Sequence, residues 1–312
     1  MHRLGNDGAD AALGPRKADK IIAADCFGSL SRIHFMKIKP GDTVLLTGAP
    51  GGLGAYMAHA FADYKVKLVL VAHPGAELQK LQKSVEDRGA EAVTIKSDLR
   101  DSSQRKQLIQ DVRNRFGKID ILVNNAGVEF TSAYHELSDE SIYDTLKVNL
   151  EAPMILSHLV LAEMLERKRG HIVNISSLAG KSGPAFQEPY AASKAGLISF
   201  TSSLRATYRG SGVSASVVVP GFVEAGIYSK LKMSSGLSAP ALLGTSPPEA
   251  VSRAVIRAIE NDLPEIIVNP LPIRPLLAFT ALFPSAGEWL VDKIGSNKFF
   301  QQVVEAQKRN GK

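Results

Sequence analysis

Short apolar runs that alternate with longer segments of helical spacing are the feature that most restricts how this chain can fold. Runs that are apolar throughout are typical of strands buried on both faces of a parallel sheet, and parallel strands need long connections between them. The pattern predicts an α/β fold: a doubly wound parallel sheet of about seven strands with helices on both faces. The predicted strands are residues 43–47, 67–72, 92–96, 121–124, 171–175, 214–219 and 265–268.

Helical periodicity predicts the connections between these strands. One long helical region covers residues 138–167, with a bend expected near Pro153, and a later helix covers 190–208. Residues 227–247 are rich in Ser, Gly and Leu and have little regular period, which favours a mobile lid or an inert surface insertion. Further helices are predicted at 76–88, 103–116 and 248–260.

A glycine-rich turn follows the first strand and opens a helix. Glycines in that place permit a tight turn and a close approach of the backbone to a pyrophosphate at the helix N-terminus. The spacing differs from the commoner Gly-x-Gly-x-x-Gly, but its position between strand and helix predicts a Rossmann-type, dinucleotide-binding domain. The residues of the turn that we assign to the cofactor are Thr47, Gly48, Gly52, Leu53 and Gly54.

A stretch from Ser177 to Lys194 carries the chemistry. Tyr190 and Lys194 are four residues apart, so on one helix their side chains share a face. A lysine ammonium near a phenol favours the phenolate and lowers its pKa, and such a phenol can exchange a proton with a substrate oxygen. Ser177 supplies a hydroxyl that can hold the same oxygen. The arrangement suits interconversion of an alcohol and a carbonyl, with a cofactor carrying the hydride.

The end of the second strand bears on the choice of cofactor. NAD-selective proteins usually place an acidic residue there for the ribose 2′-hydroxyl, whereas this chain has Val71-Ala72-His73-Pro74. An acid would repel a 2′-phosphate, and His73 can donate a hydrogen bond to one. We therefore predict that NADP(H) is favoured over NAD(H), although His73 is also explained as an exposed loop histidine.

Other strand ends add candidates for the cofactor cleft. Asn124-Asn125-Ala126-Gly127 lets the backbone approach a cofactor while its amides brace strands, and a plain turn explains it equally well. Asn149 is polar within an apolar helix, either as a satisfied core amide or as the holder of a water on a proton path. After the sixth strand, the segment Pro220-Gly221-Phe222-Val223 is expected to close over the nicotinamide.

In order and approximate spacing, these residues resemble the short-chain dehydrogenase/reductase family over about residues 41–269. The resemblance implies that Tyr190 is the general acid/base, that Lys194 lowers its pKa and binds the nicotinamide ribose, that Ser177 positions the substrate oxygen, and that Asn149 supports a proton relay. It also implies that Asp98 meets the adenine, that Asn124 and the glycines line the cofactor cleft, and that the protein is a homodimer or homotetramer. We assign to the cofactor, in addition, Leu99, Asn125, Ala126, Gly127, Pro220, Gly221 and Val223. Ala225 departs from the family pattern, since a threonine that contacts the nicotinamide side often stands there.

The parts of the chain outside this region differ from it in charge and in polarity. We divide the chain into a partly irregular leader at 1–40 with a short helix over 21–36, a catalytic domain at 41–269, and an apolar, basic, helical extension at 270–312. The formal net charge is +6, and the basic excess lies in the leader and the extension. The apolar run 276–283 must be buried, as a roof over the substrate cleft, against a partner subunit, or in a membrane interface. The extension resembles that of a bacterial subgroup of the family.

Composition excludes several other classes of protein. With one cysteine the chain has no internal disulfide or cysteine-cluster metal site, and we predict no metal. We see no basic-aromatic stripe, so we expect no nucleic acid partner. The leader has no continuous apolar region and no run of about 18 apolar residues is visible, so we expect a cytoplasmic protein, with peripheral membrane contact through the extension still open.

The function predicted from the sequence is an NADP(H)-dependent oxidoreductase that interconverts an alcohol and a carbonyl on a lipophilic substrate. Two alternatives remain open. One is a reductase of carrier-bound 3-oxoacyl groups, which needs a basic patch for an acidic carrier. The other is a cofactor-binding interaction protein, or a peripheral membrane protein, with little catalysis.

Overall fold

A computed structural model describes residues 36–311 of the chain. The leader predicted at 1–40 and the short helix predicted at 21–36 therefore lie almost entirely outside the described residues. Seven parallel strands form one sheet in the order β3-β2-β1-β4-β5-β6-β7, and the predicted fold class is confirmed. The strands are β1 Thr43–Thr47, β2 Lys67–Ala72, β3 Glu91–Lys96, β4 Ile121–Asn124, β5 Gly170–Ile175, β6 Val213–Pro220 and β7 Glu265–Val268.

Helices lie on both faces of the sheet because the strands carry apolar residues on both sides. Leu45 belongs to one core, with α3 and α5, while its neighbours Val44 and Leu46 belong to the other, with α1 and α8. The helices of the sheet domain are α1 Gly52–Ala62, α2 Gln79–Glu86, α3 Ser102–Phe116, α4 Asp139–Leu146, α5 Ala152–Glu166, α6 Glu188–Thr207, α7 Gly226–Ser235 and α8 Pro248–Glu260.

The long helical region is interrupted one turn earlier than predicted. A π-helical turn at Lys147–Glu151 separates α4 from α5, and Pro153 lies in the first turn of α5. Proline is tolerated in that first turn because its missing N–H has no intrahelical partner there. The regular helix is therefore broken at the π turn, directly before Pro153.

The segment 227–247 is also more ordered than the sequence predicted. Its first part is helix α7, which buries Tyr228 and Leu231. The helix is short, with ten residues, and begins and ends in glycine- and serine-rich sequence, so its period does not stand out in the segment. Only the part after Gly236, which ends α7 with a left-handed backbone, lacks regular structure up to residue 247.

Three helices follow the sheet, as predicted for the extension: α9 Arg274–Leu282, α10 Pro284–Ile294 and α11 Ser296–Arg309. Helix α11 packs on α7 through an aromatic cluster. The ring centroids of Phe222 lie 5.2 Å from Tyr228, 5.4 Å from Phe299 and 6.2 Å from Phe300. This contact fixes the extension over the carboxyl ends of the strands.

One helical stretch among the described residues, 139–166, is long and apolar enough to cross a membrane by length and composition. It comprises α4, the π turn and α5, and it supplies Leu156, Val160 and Met164 to the core beneath the sheet. Its apolar character is therefore explained by packing within the domain.

Candidate active site

A cleft of about 730 Å³ opens at the carboxyl ends of the strands. It lies over the junction of β1 and β4, where the strand order reverses direction and where open α/β sheets bind their ligands. Its lower side, which we call the floor, is built by segments 47–54 and 124–127, whose residues either line the cleft or pack directly beneath that lining. Its upper wall, which we call the roof, consists of α9, α10 and the start of α11.

The floor is shaped by glycines that admit no side chain. Gly48 has a φ of +66°, which favours glycine. A Cβ on Gly54 would lie 2.2 Å from the carbonyl oxygen of Gly48, and a Cβ on Gly52 would lie 2.2 Å from the backbone nitrogen of Gly226. The turn thus exposes its backbone to a ligand on the cleft side, and on its other side it packs tightly against neighbouring backbone.

Thr47 and Asn125 brace the floor from beneath. The buried Thr47 hydroxyl accepts hydrogen bonds from the backbone N–H groups of Asn125 and Ala126, at 3.0 and 3.1 Å. The Asn125 amide donates to the carbonyl oxygens of Thr47 and Gly48, both at 3.0 Å. Of the residues predicted to bind the cofactor, Thr47 and Gly54 do not line the cleft; they hold the turn that does. The others line it: Gly48, Gly52, Leu53, His73, Asp98, Leu99, Asn125, Ala126, Gly127, Tyr190, Lys194, Pro220, Gly221 and Val223.

His73 lies at one end of the cleft, near the ends of β2 and β3. Its Nδ1 accepts a hydrogen bond from the backbone N–H of Gly75, so the proton of the neutral ring is on Nε2. That Nε2 lies 3.8 Å from Asp98, whose pKa is lowered to about 2, chiefly by hydrogen bonds from Arg100. Because Arg100 also binds Asp144 at 2.7 Å, it is committed to carboxylates, and His73 is the more available donor.

Ser177, Tyr190 and Lys194 converge at the other end of the cleft. The 3₁₀ turn after Ser177 and the first turn of α6 bring the two hydroxyl groups together. Burial raises the pKa of Tyr190 to about 12, the hydrogen bond with Ser177 lowers it, and the charge of Glu129 raises it. The sequence predicted a lowered pKa for this phenol, but in the structure desolvation outweighs the other effects.

Lys194 is buried beside the tyrosine. Its ammonium lies 5.6 Å from the centroid of the Tyr190 ring and donates to the carbonyl oxygen of Ile175 at 2.9 Å. Burial lowers the pKa of Lys194 to about 8. A Cβ on Gly127 would lie 3.6 Å from this ammonium, so the glycine leaves the space beside Lys194 open to the cleft.

Asn149 lies in the π turn and does not line the cleft. Its Oδ1 accepts from the backbone N–H of Val128 at 2.8 Å, and its Nδ2 donates to the carbonyl oxygen of Val128 and to Ser193 at 2.9 and 3.2 Å. Both amide protons are therefore committed to the protein. Only a second lone pair on Oδ1 is left for a water, so bracing the loop after β4 is the role that its contacts support.

The roof is apolar where it faces the cleft. Helix α9 presents Leu276, Leu277 and Thr280, and Ile273 directly before it continues the same face. Val291 and Ile294 from α10 and Phe300 from α11 complete it. Gly287 allows α10 to pack closely against Thr280, since a Cβ there would lie 2.7 Å from the Thr280 backbone.

A polar cluster beside Tyr190 was missed by sequence reasoning. It consists of Glu129, Thr131 and Gln187, of which Gln187 lines the cleft. The available signal was the position of Gln187 three residues before Tyr190, which places both on one side of the first turn of α6. Within residues 36–311, no group of three His, Cys, Asp or Glu side chains is placed to hold a metal ion.

The cleft fits an extended dinucleotide. The glycine turn offers exposed backbone at the N-terminus of α1, where a pyrophosphate is stabilised, and Gly221 lies at the far end against Asn269. A site of this kind, with a phenol, a hydroxyl and a lysine beside the floor, belongs to the dinucleotide-dependent oxidoreductases.

The chain is a member of the short-chain dehydrogenase/reductase family, because the family model for short chain dehydrogenases matches residues 42–235. It is thus an NAD(P)-dependent oxidoreductase. It is 39% identical over 276 residues to the ketoacyl reductase HetN of Nostoc sp., covering 87% of this chain and 95% of HetN. It is 33% identical over 184 residues to the 3-oxoacyl-[acyl-carrier-protein] reductase FabG of Escherichia coli, covering 59% of this chain and 74% of FabG.

Solved structures of the family have the same fold. A variant of actinorhodin polyketide ketoreductase with NADPH is similar with a TM-score of 0.68 and 28% identity, over 73% of this chain and 95% of that protein. A metagenomic short-chain oxidoreductase in complex with NADP has a TM-score of 0.64 and 29% identity, over 76% of this chain and 100% of that protein.

Proposed function

We propose that the protein is an NADP(H)-dependent oxidoreductase that interconverts a carbonyl and an alcohol on a lipophilic substrate. The observation that carries the proposal is the convergence of Ser177, Tyr190 and Lys194 on a cleft whose roof is apolar. We assign residues 41–269 to the catalytic domain and 270–312 to an extension that serves its substrate cleft.

Tyr190 acts as the general acid/base in this proposal. Because its pKa is raised to about 12, the phenol is protonated at neutral pH and can donate its proton to a carbonyl oxygen during reduction. Ser177 holds that oxygen through a second hydrogen bond. The bound cofactor supplies the hydride. In the opposite direction, Tyr190 must first lose its proton, so oxidation is favoured by higher pH.

Lys194 and Asn149 support this step. A protonated Lys194 stabilises negative charge that develops on the Tyr190 oxygen, because opposite charges attract strongly where water is excluded. Asn149 holds the loop that carries Gly127 and so keeps the space beside Lys194 open for the ribose. We assign to Asn149 a positioning role in place of direct contact with the cofactor.

The preference for NADP(H) rests on His73. Its Nε2–H, just beyond the end of β2 and near Asp98, is a donor from which a 2′-phosphate can accept a hydrogen bond, and an acidic residue is missing from the end of β2 itself. The similar structures that contain NADPH and NADP support binding of the phosphorylated cofactor by this chain.

Replacing Tyr190 with Phe tests the mechanism. The variant keeps the ring and its packing but loses the proton donor, so we expect turnover of a long-chain ketone to fall at least about a hundredfold. The NADPH dissociation constant, followed by fluorescence, should stay within about twofold. Tyr143→Phe, on a side chain that is 60% exposed, is the matched control. Turnover retained by Tyr190→Phe would disprove the assigned role.

A reductase of 3-oxoacyl thioesters is the second candidate. The names of HetN and FabG favour it. Comparing kcat/KM for a 3-oxoacyl thioester of a carrier protein with that for the free ketone of the same chain length distinguishes the two. A large excess for the carrier-bound substrate would establish this candidate in place of the free lipophilic carbonyl.

The exposed face of the extension raises the question of partners. Phe279, Leu282, Phe283 and Trp289 are 40, 73, 56 and 62% exposed. We infer that this face contacts a membrane surface, while the protein remains a cytoplasmic homodimer or homotetramer. Sedimentation of the full chain with phosphatidylcholine vesicles checks this: we expect binding that Leu282→Ser and Trp289→Ser together abolish, and the oligomer mass should be unchanged.

A further inference from the structure

Glu129, Thr131 and Gln187 form a polar cluster on the wall of the cleft beside Tyr190, and the proposed mechanism does not use it. Glu129 and Thr131 lie in the loop after β4, and Gln187 directly precedes α6, three residues before Tyr190. Gln187 is only 3% exposed and yet lines the cleft. Burying an amide costs free energy unless its hydrogen bonds are made. The hydrogen bonds of Gln187 therefore tell which way its amide is oriented.

The hydrogen bonds fix the orientation of the Gln187 amide. Its Nε2 donates to Glu129 Oε1 at 3.0 Å and to Thr131 Oγ1 at 3.2 Å. The Thr131 hydroxyl donates its own proton to the same Glu129 oxygen, so that oxygen carries no proton. A flipped amide would direct Gln187 Oε1 at an acceptor, which is unfavourable. Both protons of Nε2 are thus committed, and Oε1 is the remaining polar atom.

Because Gln187 lines the cleft and both protons of its Nε2 are used within the protein, Oε1 is the side-chain atom left to accept a hydrogen bond there. None of the described residues donates a hydrogen bond to this oxygen. The oxygen is also not fully buried, because it is absent from the set of fully buried side-chain atoms that lack a partner. The lining includes the apolar side chains of Val128, Leu178 and Pro184, and the hydroxyl of Ser182 makes no hydrogen bond to Gln187. An acceptor in an apolar wall is satisfied best by a donor that arrives with the ligand.

We propose that Gln187 is a specificity-determining residue that accepts a hydrogen bond from an O–H or N–H group of the substrate, near its reacting carbonyl. Thr131 and Glu129 are positioning residues that hold the amide for this contact. The inference rests on the proposed function and narrows its substrate class: the preferred lipophilic carbonyl compound carries a donor, as a hydroxy ketone or a ketoamide does.

Two matched pairs of substrates test the proposal. One pair is a long-chain β-hydroxy ketone and its methyl ether; the other is an N-alkyl β-ketoamide and its N-methylated form. In the wild-type protein we expect kcat/KM to favour the donor-bearing member of at least one pair by about tenfold, the effect of one hydrogen bond of about 1.4 kcal/mol. Which pair discriminates tells whether the donor is a hydroxyl or an amide.

Gln187→Leu should bring the ratio within the discriminating pair close to one. Gln110→Leu, on an exposed glutamine of α3, is the matched control and should keep the wild-type ratio. Thr131→Val should reduce the ratio and Thr131→Ser should restore it, because serine retains the hydroxyl that holds the amide. The threonine variants keep the test decisive if Gln187→Leu does not fold.

The proposal is overturned if neither pair discriminates in the wild type, or if the ratio survives both Gln187→Leu and Thr131→Val. Reduction of a plain long-chain ketone is measured alongside. When that reduction is observed and the ratios are flat, the inference about Gln187 fails while the proposed function stands. When no ketone of the panel is reduced with NADPH, the proposed function itself fails, and the inference fails with it.

Discussion

The floor and the roof of the cleft face the same space but are built by different physical means. The floor is backbone: its shape depends on glycines whose Cβ positions are filled by neighbouring main-chain atoms, as at Gly52 and Gly54. The roof is side chain: Leu276 and Leu277 contribute apolar surface from a helix that belongs to the extension. Steric exclusion leaves no alternative to glycine at these floor positions, whereas apolar contact tolerates many residues of similar volume in the roof.

The largest effect is expected from a change in the floor. In Gly54→Ala the new methyl group would meet the carbonyl oxygen of Gly48 at 2.2 Å, and backbone cannot move as a flexible side chain does. We expect the NADPH dissociation constant to rise more than about a hundredfold, or the free energy of unfolding to fall by about 3 kcal/mol or more.

Gly183→Ala is the control for that substitution. A Cβ on Gly183 would lie 3.7 Å from the Ala191 side chain, which is ordinary van der Waals contact. Fluorescence titration and urea denaturation of both variants decide the matter. If Gly54→Ala binds NADPH as tightly as Gly183→Ala does and is equally stable, the backbone of the floor can move to accept a methyl group, and the prediction is wrong.

The difference between a floor built of backbone and a roof built of side chains explains which features could be predicted from the sequence. The turn at 48–54 was recognisable because steric exclusion restricts Gly48, Gly52 and Gly54 to glycine. The strands were recognisable because burial on both faces makes them largely apolar. Helix α7 was not recognised, since it has only ten residues and buries only Tyr228 and Leu231, too few apolar positions to define a helical period. The Gln187 cluster was not recognised because its three members come from separate segments that only the fold brings together.

The raised pKa of Tyr190 shows the same limit. Spacing alone places Lys194 near the phenol, and that proximity predicts a lower pKa. Spacing does not report how much water is excluded, and in the folded chain desolvation is the larger effect on both groups. Residue pairs are thus readable from the sequence, whereas their environment is not.

The second prediction concerns selectivity at the edge of the floor. His73→Asp removes a donor and introduces a negative charge where a 2′-phosphate would lie, at the end of β2. We expect NADPH binding to weaken about 30-fold, a loss of about 2 kcal/mol, while NADH binding stays equal or improves. Titration with both cofactors measures this. An unchanged preference would show that His73 is only an exposed loop residue.

The third prediction concerns the roof. Leu276→Ala combined with Leu277→Ala removes apolar surface from the cleft. Alanine is as good a helix former as leucine, so α9 should stay helical. We expect kcat/KM to fall about tenfold for a long-chain ketone and much less for a short one, because the lost contacts are with the chain. NADPH affinity should not change. An equal loss for both ketones would mean that the roof acts on the catalytic groups themselves.

The smallest expected effect is a shift in the pH profile that tells which of the two walls excludes water from Lys194. Burial lowers the pKa of Lys194 to about 8, so the ammonium is present below pH 8 and is lost above it. Tyr190 keeps its proton over that range because its pKa is raised to about 12, so the loss of charge on Lys194 should set the alkaline limb of kcat/KM for reduction, near pH 8.

If the roof excludes the water from Lys194, the Leu276→Ala/Leu277→Ala variant should admit some and move the alkaline limb upward by less than one pH unit, under about 1.4 kcal/mol. If the floor and α6 alone exclude it, the limb should not move. A wild-type limb near the ordinary lysine value of 10.5 would show that neither wall desolvates Lys194 in the working enzyme.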